Sequence, residues 1–235
     1  MFNASTVNFG INNTAHYYAT DIKRDGEFYS FTLNAYSRRY GRIKLKTLGK
    51  HNIYNALATF ATCDLLGVSF SKIKKGLEEF CGVKRRNEYL GEKYGVKFFA
   101  DYAHHPEELK ATLSAYKENG QKILTVFQPH TYSRTKLLMS EFLHTLNGVN
   151  PLIICKTYPA RELYDESGCA HKLYENLKKL GNENVYYADD DKSLFELIKR
   201  LCLNTDVVLI LGAGDVYEKA VKLIETNQLN VLKSN

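Results

Sequence analysis

Side chains able to bind anions follow two apolar segments of this chain, at the point where each segment ends. Asp101, His104 and His105 follow VKFFA, and His130 and Arg134 lie in FQPHTYSR, directly after KILTV. A carboxylate can accept from ribose hydroxyls, an imidazole can donate to a phosphate oxygen, and an arginine can clamp a carboxylate or phosphate. Open parallel sheets bind ligands at the carboxyl ends of their strands. The two segments therefore predict a site for a nucleotide or another anion.

A helix start explains only part of the first segment. Pro106 suits the first helical position, and Glu107 and Glu108 suit the first turn, where carboxylates face the positive end of the helix dipole. A helix start does not explain the aspartate and the two histidines just before it. For the second segment the alternative is a histidine and an arginine exposed in an ordinary loop. Two consecutive strands ending in such loops favour a site.

Two further pairs of residues have both a functional and a structural interpretation. Arg161 and Glu162, in YPARE, follow a third apolar segment and could bind substrate, or form an exposed ion pair of little energetic value. Arg85 and Arg86 lie where two domains are expected to meet, a favoured place for ligands. They could equally cover the edge of a sheet.

Asn52 and Asn55 lie three residues apart at the start of a predicted helix and therefore share one face of it. Two amides on one face can offer a matched donor and acceptor to a base such as adenine. The alternative is that Asn52 caps the helix and Asn55 is partly exposed. Both interpretations stay open on the sequence alone.

The segment Gly212-Ala-Gly-Asp215 follows a strand and opens a helix, but the third glycine of a dinucleotide fingerprint is missing. A tight strand-to-helix turn is the favoured interpretation, although its backbone N–H groups could hold an anion. The chain also contains no G-x-x-x-x-G-K-[ST], no G-x-S-x-G and no H-E-x-x-H. The sequence therefore lacks the motifs of a complete nucleotide-hydrolysing or hydrolytic centre.

The elements that must position these residues change character along the chain. Residues 5–48 are rich in Tyr, Phe, Thr, Val and Ile, and Asp25-Gly26 predicts a hairpin turn. The apolar, alanine-rich run 52–66 predicts a buried helix, and Ser69 or Ser71 can cap a second helix.

After a break at 82–95, strands and helices alternate, and the strands are apolar on both faces, which is typical of a parallel sheet covered by helices. We therefore predict an α/β protein: a doubly wound, Rossmann-like, mostly parallel sheet preceded by a β-hairpin and helices. The domain boundary is expected at 86/87. The predicted strands are 96–100, 122–127, 152–155, 185–188 and 207–211, and the predicted helices are 106–119, 135–147, 170–180, 192–203 and one from about 216.

Composition excludes several classes of protein. The chain of 235 residues is 44% hydrophobic and 25% charged, close to ordinary globular usage. Five scattered cysteines without C-x-x-C argue against a disulfide scaffold or a zinc ribbon, and favour a reducing, cytoplasmic location. We expect no secretory signal and no membrane partner.

The net charge of +6 arises in one window, because residues 23–50 hold eight Lys/Arg against two acidic residues and the remainder holds 24 of each sign. Such a window suits polyanions, including RNA, but a solvated hairpin explains most of it. No aromatic RNA-binding motif accompanies the window, so we expect no nucleic-acid partner.

Six segments span positions 49 to 215: GKHNIYNA, FCGVKRR, DYAHHP, FQPHTYSR, YPARE and GAGD. Together and in this order they resemble the Mur ligase family, and FQPHTYSR is most similar to its members that add alanine. The resemblance implies that residues 1–86 are the C-terminal portion of the central, ATP-binding domain. It implies that 87–235 are the Rossmann-like C-terminal domain.

The resemblance also implies a reaction and a set of roles. ATP would phosphorylate the lactyl carboxylate of UDP-N-acetylmuramate, and L-alanine would attack the acyl phosphate, with charge neutralised by Mg²⁺, Lys and Arg. It assigns the adenine to Asn52 and Asn55, the phosphates to Arg86 and His104 as catalytic residues, and the ribose to Asp101. It assigns the substrate carboxylate and the amino acid to the remaining candidates, His130, Arg134, Arg161 and Glu162.

The sequence departs from the family pattern in what it lacks. The UDP-binding domain, the P-loop, and the Glu and His that hold Mg²⁺ are not in this sequence, and Ala100 stands where the family often has a second aspartate. We therefore expect no metal ligands in this chain and no catalysis by the chain alone. The alternative hypothesis is a free-standing nucleotide- or anion-binding module without catalysis.

Overall fold

The chain forms two compact units, Met1–Gly82 and Val83–Asn235, in a computed structural model that describes residues 6–11, 14–25, 28–47, 49–118 and 120–226. The break between the units lies four residues before the boundary expected from the sequence.

Unit 1 pairs a small sheet with two helices. The sheet has the order β1-β2-β3-β4, with β1 parallel to β2 and the other pairs antiparallel. Its strands are β1 (Phe9–Gly10), β2 (Tyr17–Asp25), β3 (Phe28–Ala35) and β4 (Arg38–Lys44), followed by α1 (His51–Leu65) and α2 (Phe70–Glu79).

The alternation along β3 explains how this sheet packs. Phe31 and Leu33 are fully buried in the core that also contains Leu57 and Phe60 of α1. Asn34, on the opposite face, is also buried, and its amide nitrogen donates to the Thr20 hydroxyl at 3.0 Å. One face of the sheet is thus an apolar core, and the other is closed by hydrogen bonds.

Helix α1 is buried on one face and not all round as predicted. Ile53, Leu57 and Phe60 are buried, whereas Tyr54 is 43% exposed and Leu65 is 59% exposed. A composition that is apolar all round does not say which side of a helix has a neighbour; the packing of this unit decides that.

Unit 2 confirms the predicted α/β class. Its six-stranded sheet has the order β5-β6-β10-β7-β8-β9, and all pairs are parallel except β5 with β6. Its strands are β5 (Glu88–Lys93), β6 (Val96–Asp101), β7 (Ile123–Phe127), β8 (Leu152–Cys155), β9 (Val185–Ala188) and β10 (Val207–Leu211). Its helices are α3 (Pro106–Lys117), α4 (Tyr132–Leu137), α5 (Met139–Leu146), α6 (Ala170–Lys179), α7 (Asp191–Leu201) and α8 (Val216–Glu225), with short 3₁₀ turns at Glu166–Gly168 and Cys202–Asn204.

Helices cover both faces of this sheet. One apolar cluster contains buried residues of α3, α5 and α6, and the other contains buried residues of α7 and α8. Strand β10 lies between β6 and β7, so the loops that leave β6 and β7 meet over its carboxyl end. Such a change of direction in the strand order is where open α/β sheets form ligand crevices.

Two elements of unit 2 differ from the prediction. Strand β5 lies in the segment 82–95, which the sequence predicts to be a break. Lys93 pairs with Val96 across a two-residue turn in which Tyr94 and Gly95 both have positive φ. That is the hairpin turn that fits the twist of antiparallel strands. The single helix expected at 135–147 is two helices, which meet at Leu138.

Among the described residues, no helix is long and apolar enough to cross a membrane. The predicted hairpin turn at Gly26 lies outside the described residues, although Asp25 and Phe28 pair across it.

Gly168 lies close to the backbone of Tyr132, the first residue of α4, and a larger residue would not fit there. A Cβ at this position would lie 2.0 Å from the carbonyl oxygen of Tyr132, a backbone atom that cannot move alone. We expect Gly168→Ala to lower the free energy of unfolding by about 1–3 kcal/mol through overpacking. Urea denaturation followed by circular dichroism measures it.

Gly148→Ala is the matched control, because a Cβ there meets nothing within 4 Å. Equal stability of the two variants would show that the contact with Tyr132 is absent in solution.

Candidate functional site

A row of rings crosses the carboxyl edge of the sheet in unit 2. The His104 ring, after β6, lies 5.7 Å from the His130 ring, after β7, and the His130 ring stacks on Tyr158, after β8, at 5.5 Å. Tyr102 meets His104 edge-on at 5.3 Å. The two predicted histidine segments therefore meet, as expected for loops that flank one strand end.

Backbone pairing holds the middle of this row. His130 and Tyr158 form an isolated parallel bridge that extends β7 and β8 beyond their last regular residues. Tyr158 donates its N–H to Pro129, and Thr131 donates to Tyr158, each at 2.9 Å. The His130 ring is thus carried on two strands and not on a free loop.

The hydrogen bonds of the two histidines fix opposite tautomers of their neutral rings. Nδ1 of His104 lies 2.9 Å from the Tyr102 carbonyl, which can only accept, so Nδ1 carries the proton. Nδ1 of His130 lies 3.3 Å from a guanidinium nitrogen of Arg134, which can only donate, so the proton is on Nε2. Neutral His130 therefore offers a donor from Nε2, whereas neutral His104 offers an acceptor.

The surroundings of His130 keep it neutral. Partial burial lowers its pKa below the ordinary value, the charges of Arg134 and His104 lower it further, and Glu162 opposes them. At neutral pH the positive charge of this corner therefore resides on Arg134.

Glu108 shapes the loop that carries His104. Its carboxylate accepts from the backbone N–H groups of His104 at 3.0 Å and of His105 at 3.2 Å, and it lies 3.4 Å from Nδ1 of His104. Burial would raise the pKa of Glu108, but the bonds from His104 and His105 and the charges of His104 and Arg86 lower it overall. The helix start thus accounts for His105, whose side chain caps α3, while His104 points its ring toward His130.

Asp101 is buried, and both oxygens of its carboxylate accept hydrogen bonds from backbone N–H groups. Oδ2 accepts from Asn87 N–H at 2.9 Å and Oδ1 from Ala103 N–H at 2.8 Å. Each carboxylate oxygen has two acceptor positions, so a ribose hydroxyl would be an additional partner. In this structure Asp101 closes the turn between β6 and α3.

Arg85 and Arg86 both place their guanidinium groups near the Tyr102 ring, but they differ in burial. Arg85 is half-buried, donates to the Gly214 carbonyl at 2.5 Å and lies 3.7 Å from Glu218. Arg86 is exposed, with its guanidinium 5.4 Å from the Tyr102 ring. Arg85 therefore has a structural role, and Arg86 stays available to a ligand.

Gln128 ties the end of β7 to the end of β10. Its amide nitrogen donates to Asp215 at 2.7 Å, and its amide oxygen accepts from Val216 N–H at 3.1 Å. A Cβ on Gly214 would lie 2.4 Å from that amide oxygen and 2.6 Å from the Tyr158 ring. The glycines of GAGD thus make room for Gln128 and Tyr158, which confirms a tight turn; Gln128 fills the start of α8, where an anion could have bound.

The third loop joins the cluster through Glu162. Its carboxylate accepts from the Ser133 hydroxyl and, at 2.9 Å, from Ser133 N–H. The hydroxyl bond of Ser133 is the main cause that lowers the pKa of Glu162. Arg161, beside it, is exposed. Glu162 is therefore anchored to the segment that carries Arg134, whereas Arg161 is not shown to contact the cluster.

In unit 1, Asn52 and Asn55 face each other as the spacing predicted. The Asn55 amide nitrogen donates to the Asn52 oxygen at 2.9 Å. Helix α1 begins at His51 with Lys50 at the N-cap, so Asn52 does not cap it. This bond uses one amide hydrogen of Asn55, an exposed residue, so the side-chain oxygen and the other amide hydrogen remain for a ligand.

The basic window of unit 1 lies on its sheet and is partly paired within it. Arg39 lies 3.3 Å from Asp21, Arg42 donates to Ser30 at 2.6 Å, and Arg38 lies over the Tyr40 ring. These contacts fit the solvated-hairpin interpretation.

Family models match both units of the chain. The model described as "Mur ligase, glutamate ligase domain" matches residues 85–214, more than half of the chain, and "Mur ligase middle domain" matches residues 2–63. The chain belongs to the Mur ligase family. This confirms the resemblance drawn from the six sequence segments.

Two curated relatives of this chain have the same name. The chain is 41% identical over 224 residues to a UDP-N-acetylmuramate–L-alanine ligase of Caldanaerobacter subterraneus, covering 94% of this chain and 48% of that protein. It is 40% identical over 228 residues to the same enzyme of Acetivibrio thermocellus, covering 95% and 48%. The chain thus spans about half the length of the curated relatives it matches.

A solved relative has the same fold. The UDP-N-acetylmuramate–alanine ligase of Thermotoga maritima superposes with a TM-score of 0.74 at 28% identity, covering 95% of this chain and 48% of that one. Among the residues described here, no group of three or more His, Cys, Asp or Glu could hold a metal ion.

Sequence reasoning missed Gln128 and Tyr158. Gln128 lies inside FQPHTYSR and Tyr158 begins YPARE, so both were in view as parts of motifs. A glutamine or a tyrosine next to a strand does not by itself indicate a functional role, because both residue types are common at such positions. The available signal was the pair of glycines in GAGD, which indicated that something passes close to that turn.

The bond between Gln128 and Asp215 can be tested by exchanging donor and acceptor. We expect Gln128→Glu to lower the free energy of unfolding by about 1–2 kcal/mol, because a buried carboxylate would then meet the partly exposed carboxylate of Asp215 in place of a hydrogen bond. Adding Asp215→Asn should recover at least half of that loss, since the amide introduced there could donate to the new carboxylate. Urea denaturation at pH 7.5 measures it, with Asp215→Asn alone as the control.

The pKa of His130 can be measured by NMR titration of its ring protons. We expect a value below 6.5, and a higher value in Arg134→Gln, which removes both a positive charge and the bond to Nδ1. Because the folded-state pKa is depressed, the stabilising contribution is fully present above pH 6.5 and is lost as the pH falls through 6.5 towards the folded-state value. Lys136→Gln, which removes the partner of Asp165 instead, should leave the pKa unchanged. A wild-type value above 6.5 would contradict the geometry.

Proposed function

We propose that this chain is the part of an ATP-dependent ligase that contributes contacts to the nucleotide and binds the amino acid, in a reaction that joins L-alanine to the lactyl carboxylate of UDP-N-acetylmuramate. The similarity of about 40% to ligases of that name, together with the His104–His130–Arg134 cluster at the strand ends, supports the proposal. ATP, bound with Mg²⁺, would supply the phosphoryl group that activates the carboxylate.

The substrate end of the cluster suits a carboxylate. Arg134 provides the permanent charge, and the Nε2–H of neutral His130 provides a directed donor beside it. Glu162, anchored on Ser133, offers a carboxylate to an ammonium group at the same corner. A small amino acid carries both of these groups, which supports L-alanine as the ligand of His130, Arg134 and Glu162, with Arg161 at the rim.

The nucleotide end of the cluster suits phosphate. Arg86 is exposed. The ring of His104 meets both the Tyr102 carbonyl and the Glu108 carboxylate at Nδ1, so Nε2 is the ring atom that would contact a ligand. Asp101 would take a ribose hydroxyl as an additional partner. In unit 1, the outward groups of Asn55, oriented by Asn52, would contact the adenine edge. We propose a cytoplasmic location, because the five cysteines form no disulfide among the described residues and suit a reducing compartment.

Arg134 is the residue whose removal tests the assignment most directly. The amino-terminal half of the Caldanaerobacter ligase, fused to this chain, should form UDP-N-acetylmuramoyl-alanine with ATP, Mg²⁺ and L-alanine, detected by phosphate release and mass spectrometry. Arg134→Gln should lower kcat/KM for L-alanine about 10- to 100-fold, the value of one or two charged hydrogen bonds, and Lys136→Gln should not. A folded fusion protein that accepts UDP-N-acetylmuramate as a substrate but does not join L-alanine to it would refute the proposal.

The second candidate is a nucleotide- or anion-binding module without catalysis, favoured by the lack of G-x-x-x-x-G-K-[ST] in this sequence. Calorimetry of the unfused chain with ATP distinguishes the two. The ligase hypothesis expects weak or no binding, because the phosphate cradle is missing, whereas the binding module requires micromolar affinity.

A further inference from the structure

A cavity lies at the amino-terminal edge of the sheet in unit 2, opposite the ring cluster. It has a volume of about 280 Å³ and is bordered by the start of β7, the residues before β8 and β10, and the end of α3. The volume is near the lower end for small-molecule sites. The proposed ligase function uses none of its residues.

The wall of the cavity is apolar and its rim is basic. Leu113, Ile123 and Val149 provide the wall, and Lys117 and Lys122 line the cavity from α3 and from the residue before β7. Neither lysine forms an ion pair with any residue in the described part of the chain. Asp206 is close, but its carboxylate accepts from the backbone N–H of Lys122, at 2.8 Å.

Helix ends do not cancel the charge of these lysines. Helices α3 and α5 end beside the cavity, and the partial negative charge of their last carbonyls would disfavour an anion. Those carbonyls have partners of their own: Lys117 accepts from Gly120, and Leu146 from Val149, each at 3.0 Å. Lys117 and Lys122, counted together with the nearby Asp206 carboxylate, leave one net positive charge at the cavity.

Thr125 marks the base of the cavity. Its side chain is fully buried on the same face of β7 as Ile123, and its hydroxyl has no hydrogen-bond partner among the described residues. Buried hydroxyls are normally paired, with protein, water or a ligand. Thr125 therefore adds a covered polar atom, and not a group that binds the ligand, to the base of the cavity.

We propose that this cavity binds a small monocarboxylate with a compact apolar body. The apolar part would lie against Leu113, Ile123 and Val149, and the carboxylate would lie between Lys117 and Lys122. This site is separate from the one proposed for L-alanine, which lies at the other edge of the same sheet.

Benzoate is a suitable probe, because it combines a flat apolar body with one carboxylate. We expect saturable binding to the full chain with a Kd on the order of 1 mM, a usual value for a fragment of about nine heavy atoms. The shifts in an NMR titration should be largest for the methyl groups of Leu113, Ile123, Thr125 and Val149. Benzamide, which has the same shape without the charge, should bind at least about fivefold more weakly.

The lysines are tested with a matched control on the same helix. Lys117→Gln combined with Lys122→Gln should weaken benzoate binding at least about fivefold, whereas Lys110→Gln, which removes an exposed lysine of α3 outside the cavity, should not. Three results would each overturn the proposal: linear, non-saturating shifts, equal affinity for benzamide, or unchanged affinity in the double variant. None of these results depends on whether the chain is part of a ligase.

Discussion

The arrangement of the candidate site depends on the close packing of Gln128 and Tyr158 against the glycines that follow β10. This strand lies between the two strands that carry the histidine loops, so those loops meet only if little occupies the space above it. Gly212 and Gly214 leave that space to Gln128 and Tyr158. Gln128 then bonds to Asp215 and Val216, which holds the end of β7 against the start of α8. A side chain at 214 would push this whole arrangement apart.

This packing determines where the functional side chains lie. The ring of His130 stacks on the ring of Tyr158 at 5.5 Å, and the ring of His104 lies 5.7 Å from the ring of His130. Arg134, one helical turn after His130, sets the tautomer and lowers the pKa of that ring. The site therefore presents a fixed donor and a permanent charge together, which is a suitable arrangement for a carboxylate.

Polar side chains at the two edges of the sheet in unit 2 differ in their hydrogen bonds. At the carboxyl edge Asp101 and Glu108 accept from backbone N–H groups and shape the turn between β6 and α3. At the amino edge the hydroxyl of Thr125 remains unpaired, among the described residues, beneath a cavity.

The sequence by itself determined the α/β class of unit 2, the strands after residue 95 and the family, because apolar periodicity and ordered motifs are local properties of a chain. It also determined that Asn52 and Asn55 share a helix face, since a spacing of three residues fixes that in any helix. Only the tertiary structure decided that the His104 and His130 loops meet, because this depends on β10 inserting between two strands close in sequence. It also decided that Arg85, and not Arg86, is held in place, since pairing with Gly214 joins residues far apart in the chain.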